Sequence, residues 1–398
     1  MSGKTYTVAI TALSTFILTT LWYNTLGPFS FQENAPASKV EEITKLIDKT
    51  YIGEVDYEKL SDYSAYGLVA ALGDPYSEYY DKQQAKEAFS QIVEGTYLGI
   101  GVEVYVDKDT NLITVLAPRE GGPADRAGII AGDVIYAIDG TQYDGSNYKE
   151  AVNYMKGIGV ENAQSTPLTL TIKRGGEFLT FTLKRETLDL LPVKYTKYDD
   201  IGYIRIPGFD YKTADQFENI IKGLGDDIKG LVIDLRNNPG GSYDAAVKIA
   251  DMLLPEGTIV YAEDKQGNKK YEQSDKSAID LPFAVLINQN SASAAEILAG
   301  AIKDHKAGVL IGEKTFGKGI VQTVRMLSDK SAVKLTTQKY YTPNGTSIHG
   351  VGIEPDVYIS LGDEYKNVPI SKLSLNEDTQ LYKAISMLRN GEVKRVFK

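Results

Sequence analysis

The chain has 398 residues, of which 42% are hydrophobic and 24% charged, a balance typical of a globular protein with two or three domains. Its formal net charge of −10 argues against a nucleic-acid-binding surface. Cysteine is absent, which excludes disulfides, thiol nucleophiles and thiolate metal sites. We expect neither a metal nor a cofactor.

The N-terminal segment differs from the rest of the chain. The stretch from Thr5 to Tyr23 carries no charge and approaches the roughly 20 apolar residues that span a bilayer. Lys4 precedes it and acidic residues follow it, which predicts a cytoplasmic N-terminus and an exported remainder. We therefore predict that residues 1–38 form an uncleaved anchor in the cell membrane. The alternative is a signal peptide cleaved near Ala35–Ala37, which would make the protein secreted.

Two amphipathic helices are predicted next, in a helical region that covers residues 39–93. Apolar residues recur at helical spacing from Val40 to Ile47. The triplet Gly73–Pro75 then ends the second helix.

Short strands replace helices from about residue 94. The sequence YLGIGVEVYVDKDTNLITVLAP predicts two strands, PADRAGIIAGDVIYAIDG predicts a short helix, a glycine turn and a strand, and a later hairpin turns at Gly175–Gly176. This order of elements resembles a PDZ domain, here covering residues 94–186.

The PDZ resemblance implies a binding loop for the C-terminal carboxylate of a peptide, which would add as an extra strand. The loop would consist of Leu98, Gly99, Ile100 and Gly101. Glycines suit a backbone that approaches an anion closely. A tight turn without a ligand is the alternative interpretation.

From Asp200 onward, predicted strands and helices alternate, which indicates a layered α/β domain. In the junction LVIDLRNNPGGSYDAAV, Gly240 and Gly241 precede a helix. Unpaired N–H groups and the helix dipole at such a turn suit an oxyanion hole. Phosphate binding is the weaker alternative, because the Lys-Ser/Thr ending of a P-loop is missing.

A second junction, AVLINQNSASAAEILAGAI, places Ser291 and Ser293 just before a helix. Ser293 and Glu296 match an S-x-x-E capping box, so Ser293 could simply cap that helix. A strand-to-helix turn is also where a nucleophile is exposed among N–H groups, and the two roles are compatible. The only histidines are His305 and His349. His305 lies roughly 18 Å along the helix from Ser293, too far to act as its base, and we interpret His349 as a structural or surface residue.

A lysine is the better candidate for the general base. Lys318, in GEKTFGKGIVQTV, lies among glycines and apolar residues with no acidic residue close in sequence. Burial there would lower its pKa and allow the neutral amine to accept a proton. Gln322 could orient that amine without adding charge. Lys314 is the alternative base, but Glu313 adjoins it.

The motifs DLRNNPGG, NSASAAEI and GEKTFGKGIVQ follow the PDZ-like region in this order and resemble the carboxy-terminal processing (tail-specific) peptidases. The resemblance covers nearly the whole chain, from DPYSEYY at Asp74–Tyr80 to DTQLYKAI near the end. It implies a multidomain α/β protein with an N-terminal helical segment, an α+β PDZ domain, a crotonase/Clp-like α/β protease core at residues 187–360, and a C-terminal helical tail at residues 361–398.

The resemblance also implies a Ser-Lys mechanism. Ser293, rather than Ser291, would be the nucleophile, Lys318 its general base, and Gln322 the residue that positions the lysine. The oxyanion hole would be formed by the backbone N–H groups of Ala294 and of Gly240 rather than Gly241.

The expected function is an extracytoplasmic serine endopeptidase whose PDZ domain binds polypeptides with apolar C-termini and gates the active site. A homodimer through the N- and C-terminal helices is a further expectation. One alternative is a PDZ scaffold or chaperone with an inactive core, against which the intact Ser293, Lys318 and Gln322 set argues. The other is a soluble crotonase-type enzyme acting on acyl thioesters, which would need neither an export segment nor residues 94–186.

Overall fold

The computed structural model describes residues 36–86, 96–107, 109–119, 121–158, 160–189, 193–365 and 368–394. The predicted membrane segment, Thr5–Tyr23, lies outside these residues. Within the described ranges, no helix combines the length and the apolar character needed to cross a bilayer. The chain divides into two compact units, Met1–Gly73 and Asp74–Lys398.

The first unit contains the two predicted helices, α1 (Pro36–Thr50) and α2 (Tyr57–Ala70). Asp56 caps α2 by accepting the N–H of Lys59 at 3.0 Å. Beyond α2, Gly73 adopts a positive φ of 65°, which a glycine tolerates without strain and which ends the helical path as predicted.

The second unit begins with a short strand and a PDZ-like part. Its elements are β1 (Glu78–Tyr80), β2 (Thr96–Gly99), β3 (Val102–Val106), β4 (Ile113–Pro118), α3 (Pro123–Ala127), β5 (Val134–Ile138), β6 (Thr141–Gln142), a 3₁₀ turn (Gly145–Asn147), α4 (Tyr148–Lys156), β7 (Pro167–Arg174), β8 (Glu177–Lys184) and β9 (Glu186–Asp189).

The PDZ-like part is an antiparallel sheet closed over its own core. The strand order is β3-β4-β5-β7-β8 with β6 beside β5, and β2 pairs separately with β9. The predicted hairpin is β7–β8, which turns at Gly175 and Gly176, both at positive φ. Alternate apolar residues such as Ile113, Ile135 and Leu170 point into one buried cluster.

The remaining part alternates strands and helices. Its elements are β10 (Lys194–Tyr198), β11 (Ile201–Arg205), α5 (Thr213–Lys222), β12 (Gly230–Asp234), α6 (Tyr243–Leu253), β13 (Gly257–Asp264), β14 (Lys269–Ser274), β15 (Phe283–Ile287), α7 (Ala294–His305), β16 (Val309–Gly312), β17 (Ile320–Met326), β18 (Ala332–Tyr341), β19 (Val357–Tyr358), two 3₁₀ turns (Asp363–Tyr365 and Ile370–Lys372) and α8 (Thr379–Arg389).

The predicted α/β layers are present as a six-stranded sheet in the order β10-β11-β12-β15-β16-β19. All neighbours are parallel except β10 and β11. Every side chain of β12 and β15 is buried, because helices cover both faces: Ile233 packs in the cluster that contains α5, α6 and α7, and Val232 in the cluster that contains α8. The carboxyl ends of β12 and β15 meet at one edge, so the two glycine- and serine-rich junctions are neighbours.

A second, antiparallel sheet was not predicted. Its order is β1-β18-β13-β14, with β17 also paired to β18. These strands carry many exposed polar side chains, so their alternation is weak and no strand was predicted over residues 257–274 or 320–341. The sheet joins distant segments, because Glu78 and Tyr80 of the DPYSEYY motif pair with Lys334 and Ala332 on β18.

Candidate active site

Asparagine side chains join the two junctions at the edge of the parallel sheet. Asn288 donates to the side-chain oxygen of Asn237 at 2.7 Å and accepts the Asn237 N–H at 2.9 Å. Asn290 donates to the same Asn237 oxygen at 2.9 Å, and the main-chain oxygen of Asn238 accepts the Ala292 N–H at 2.9 Å. No role was predicted for these asparagines, although each group closely follows a buried strand that the sequence pattern indicates.

The two serines of the second junction occupy different environments. Ser291 is fully buried and donates its hydroxyl to the Leu235 carbonyl at 2.8 Å. Ser293 is half-buried and has φ +56° and ψ −116°, a region that costs a residue with a side chain about 1–3 kcal/mol. Such strain at a turn that exposes a side chain is typical of a nucleophile. Ser291 therefore stabilises the loop, and Ser293 is the serine presented at its surface.

The two glycines of the first junction also differ. Gly240 is buried, and a methyl group in place of its hydrogen would lie 2.7 Å from Ser293 Cβ and 3.0 Å from the Ala294 nitrogen. The Gly240 N–H donates to the side-chain oxygen of Asn238 at 2.8 Å. Gly241 is exposed and lies against the Phe209 carbonyl instead. Of the pair, Gly240 is the one in contact with Ser293, and Asn238 binds its N–H in this structure.

Glu296 connects the serine turn to the lysine loop. Its fully buried carboxylate accepts the Ser293 N–H at 2.9 Å, as in the predicted capping box. It also accepts the Thr315 hydroxyl at 2.7 Å and the N–H groups of Gly317 at 2.6 Å and Lys318 at 2.8 Å. Burial raises the pKa of the Glu296 carboxyl, and these four hydrogen bonds oppose the rise. The cap predicted for one helix is thus a bridge between two loops.

Glycines flank Lys318 for two different reasons. Gly317 has a positive φ of 95°, which favours glycine, and Gly319 packs so closely on the main chain of His349 that an added methyl would lie 2.4 Å from the His349 nitrogen. The loop is therefore tightly seated and presents a partly buried Lys318.

The environment of the Lys318 ammonium is more charged than its sequence neighbours indicated. Burial lowers the pKa of Lys318, as predicted, while Glu103, Glu296 and Asp74 oppose this through their negative charge. The prediction that Lys318 has no carboxylate nearby concerned its sequence neighbours. These three carboxylates are distant along the chain, and the fold brings them close to Lys318. The ammonium itself lies 4.7 Å from the centre of the Tyr76 ring.

Gln322, Lys314 and His305 each have a different partner in the structure. The Gln322 amide donates to the Thr336 hydroxyl at 3.4 Å, and among the described residues no hydrogen bond joins its side chain to the Lys318 amine. Lys314 is exposed and pairs with Glu354 at 2.9 Å, as a surface charge would. His305 Nε2 lies 2.7 Å from the Thr258 carbonyl at the far end of α7. No group of three or more acidic or histidine residues within the described ranges could hold a metal ion.

The PDZ-like part contacts the lysine loop. The ring of Tyr105 on β3 packs edge-on against Phe316 with centroids 5.1 Å apart. Glu103, on the same strand, keeps contact with solvent but has many protein atoms around its carboxyl. The resulting desolvation raises the pKa of that carboxyl, and the nearby Lys318 ammonium opposes the rise. On α4, Lys149 donates to the main-chain oxygen of Tyr79.

The predicted carboxylate-binding loop is divided between a strand and a turn. Leu98 and Gly99 belong to β2 and pair with β9, whereas Ile100 is buried in the PDZ-like core and Gly101 has a positive φ of 75°. The carbonyl of Ile100 accepts the Ala124 N–H at 2.9 Å, which holds the turn next to α3.

Comparison with known families matches three parts of the chain. Residues 200–359 match peptidase family S41, residues 114–174 match a PDZ domain, and residues 25–84 match the N-terminal domain of the activating protease CtpB.

Individual relatives match over most of the chain. It is 36% identical over 409 residues to a probable CtpA-like serine protease of Staphylococcus aureus, covering 95% of this chain and 81% of that protein. The corresponding protein of Staphylococcus saprophyticus is 37% identical over 360 residues, covering 85% and 72% of the two chains. Among solved structures, the photosystem II D1 C-terminal processing protease superposes with a TM-score of 0.67 at 30% identity, covering 80% of this chain and 86% of that one.

The PDZ domain, the layered α/β core and the serine-bearing junction together define a PDZ-containing serine peptidase. The chain belongs to peptidase family S41, among the CtpA-like carboxy-terminal processing serine proteases. The predictions of family, fold class and enzyme class are thereby confirmed.

Proposed function

We propose that Ser293 and Lys318 form the catalytic dyad of an endopeptidase that cleaves polypeptides. The observation that carries this proposal is the Glu296 carboxylate, which accepts the N–H groups of both Ser293 and Lys318 and so holds the two segments side by side. Ser291 donates its hydroxyl to the Leu235 carbonyl just after β12, and Lys314 pairs with the surface carboxylate of Glu354. Ser293 and Lys318 therefore remain as the candidate pair.

In the proposed reaction, neutral Lys318 accepts the Ser293 proton as Oγ attacks the substrate carbonyl. The oxyanion binds the N–H of Ala294, at the first position of α7, and the N–H of Gly240, with support from the helix dipole. For this, Gly240 exchanges its bond to Asn238 for one to the substrate. The ammonium then protonates the leaving amine, and the lysine activates the water that releases the acyl group.

A rotation of the Lys318 side chain precedes chemistry in this proposal. Its ammonium faces Tyr76, and among the described residues no hydrogen bond joins it to the Ser293 hydroxyl. We infer that Gln322 then exchanges its weak, 3.4 Å bond to Thr336 for one to the amine.

We further propose that the PDZ domain binds apolar C-terminal ends of polypeptides through Leu98–Gly101 and gates the site. Support for gating comes from Tyr105, which packs on Phe316 two residues before the proposed base, and from Glu103, whose charge acts on the Lys318 ammonium. Movement of this strand upon peptide binding would change both contacts at once.

The proposed location is outside the cytoplasm, with residues 1–38 as a membrane anchor. The uncharged stretch Thr5–Tyr23 and the acidic residues after it support this proposal. The full chain should sediment with membranes and resist extraction by high salt. A chain found in the soluble fraction at its full mass would refute the anchor, and a shortened soluble chain would indicate cleavage near Ala35–Ala37. A homodimer remains a proposal, which the mass of the detergent-solubilised protein tests.

The central experiment measures cleavage of an unstructured reporter polypeptide with an apolar C-terminus by the full chain in detergent. Ser293→Ala and Lys318→Ala should fold normally and lose cleavage, whereas Lys314→Ala should cleave at the wild-type rate. Retained cleavage in the Ser293 or Lys318 variant would refute the dyad. Binding of the reporter without cleavage by the wild type would favour the scaffold alternative.

A further inference from the structure

Tyr340 on β18 is a buried tyrosine that the reaction described above does not use. Its side chain is 1% exposed and belongs to the apolar core formed with residues of α6 and α7. A buried hydroxyl requires a hydrogen-bond partner. Tyr340 has one in the lysine loop, because it donates to the main-chain carbonyl of Lys318.

Tyr340 is joined to the lysine loop at a second point. Its N–H donates to the Gly319 carbonyl at 3.1 Å, so main chain and side chain together bind two successive carbonyls, one on either side of the Gly319 Cα. These bonds hold the base-bearing segment against β18. Gly317 and Gly319 pack on a different segment, residues 348–352, so the loop is restrained from both sides.

The same side chain belongs to the core that contains the start of α7. The apolar cluster that includes Tyr340 also includes Ala294 and Ala295, the first two residues after Ser293. A phenol has a single proton to donate, and that of Tyr340 is directed at the Lys318 carbonyl. Tyr340 therefore connects the core next to Ser293 with the main chain that carries Lys318.

We propose that Tyr340 is a positioning residue of the peptidase reaction, which holds the Lys318 and Gly319 carbonyls and so fixes the main chain from which the Lys318 amine reaches Ser293. The inference rests on the Ser-Lys function proposed above. Without the hydroxyl, the Lys318 peptide loses this hydrogen bond and can shift, which moves the amine away from Ser293. The Tyr340 proton stays on the phenol oxygen, so Tyr340 neither gains nor loses a proton in the reaction.

The test compares the full chain in detergent with its Tyr340→Phe variant, which keeps the buried ring and removes only the hydroxyl. Tyr341→Phe is the matched control, because Tyr341 lies on the opposite face of the same strand with its ring stacked on Tyr261 at 5.0 Å. Reporter cleavage gives kcat and KM. A serine-directed fluorophosphonate titrant counts active sites, so turnover is expressed per competent site.

We expect Tyr340→Phe to lower kcat per titrated site about 10- to 100-fold with KM within about twofold, since a small misplacement of a reacting group has that order of effect. Tyr341→Phe should match the wild type in both constants. Unchanged turnover per titrated site in Tyr340→Phe would overturn the inference, and so would a reduced number of sites that each turn over normally, because this outcome assigns Tyr340 a purely structural role. Tyr340→Met provides a second hydroxyl-free variant if the phenylalanine variant does not fold.

These outcomes separate the inference from the proposed function. If Ser293→Ala still cleaves, the dyad itself is wrong. If Ser293→Ala and Lys318→Ala are inactive while Tyr340→Phe behaves as the wild type, only the role of Tyr340 is refuted.

Discussion

At the scale of single residues, Glu296 connects the candidate nucleophile with the candidate base. A buried carboxylate is costly unless donors satisfy it, and four donors from two loop segments do so here. Its negative charge also opposes the fall that burial causes in the pKa of Lys318. One residue thus bonds to the main chain of both members of the proposed dyad and contributes to the electrostatics of the lysine.

Replacement of Glu296 by glutamine should reduce both stability and activity. The amide keeps one acceptor oxygen but directs its NH₂ group at N–H donors of the chain, leaving buried donors unsatisfied at a cost of about 1–3 kcal/mol. The free energy of unfolding in urea and the reporter assay measure the two effects. Glu256→Gln is the control, because Glu256 is exposed and, within the part of the chain that the structure describes, pairs with Lys276 alone, at 3.2 Å. A fully stable and active Glu296→Gln enzyme would contradict the role of the carboxylate.

Glu103 should shift the pH dependence of cleavage. The base acts when neutral, so activity rises as pH passes the pKa of Lys318, which burial lowers and the Glu103 charge raises. Removing that charge in Glu103→Gln should lower the pKa of Lys318 further and move the acidic limb of the kcat/KM profile to lower pH.

The matched control for this shift is Glu177→Gln, at an exposed position of β8 in the same domain, which should leave the profile unchanged. A Glu103→Gln profile that coincides with that of the wild type would show that Glu103 does not act on the base during turnover. The other charged groups that act on the ammonium, Glu296, Asp74 and Lys334, are intact in both variants.

At the scale of secondary-structure elements, Arg236 joins the end of β12 to the start of α8. Its guanidinium binds Asp234 at 2.6 Å and Asp378 at 2.7 Å, and it donates to the Gln380 side chain at 2.9 Å. Asp378 in turn caps α8 by accepting the Leu381 N–H at 2.9 Å. The C-terminal helix is thereby held under the strand that leads to the glycine turn.

Loss of this buried arginine should destabilise the protein strongly. Arg236→Ala leaves the buried Asp378 without its ion-pair partner and leaves Asp234 with the more distant Arg205, at 3.6 Å, and the Tyr203 hydroxyl, which costs about 3–5 kcal/mol. Arg389 lies on the same helix and forms exposed pairs with Asp199 and Asp200, so Arg389→Ala should cost only about 0–1 kcal/mol. Urea unfolding of both variants measures the difference, and equal costs would show that the Arg236 pairs do not hold α8.

At the scale of the whole second unit, the PDZ domain and the α/β core meet at the residues that surround the lysine. The Tyr105–Phe316 contact and the Lys149 bond to Tyr79 come from two different PDZ elements, β3 and α4. The segment around β1 contributes in a second way, because Tyr76 lies over the Lys318 ammonium. Any motion of the PDZ domain therefore bears on the lysine loop.

Loosening this contact should change basal cleavage. If the PDZ domain restrains the lysine loop, Tyr105→Ala should raise the cleavage rate of a short peptide that has no apolar C-terminus. The same variant should show a smaller increase in cleavage rate when an apolar C-terminus is present. Phe178→Ala is the control, since Phe178 packs on Tyr136 at 4.8 Å within the same domain and is mostly exposed. A fall in cleavage would instead mean that the contact supports the active arrangement.

Much of the fold and of the candidate site follows from local sequence patterns. The two strand-to-helix junctions were predictable because fully buried strands read as continuous apolar runs and glycine or serine follows each of them. The separation of Ser293 from His305, and the preference for a lysine base, followed from helix geometry and from the small number of histidines. The second sheet was missed because its strands are short of apolar residues.

What the sequence by itself determined is which residues are candidates for the chemistry: the serine at the turn, the lysine between glycines and the glycine pair before a helix. Only the tertiary structure decided which partners surround them. Glu103, Tyr76 and Tyr340 are distant from Ser293 and Lys318 along the chain, and Gly240 is selected over Gly241 by its contact with Ser293. The physical reason is that charge, desolvation and hydrogen bonding act through space, whereas patterns of propensity act along the chain.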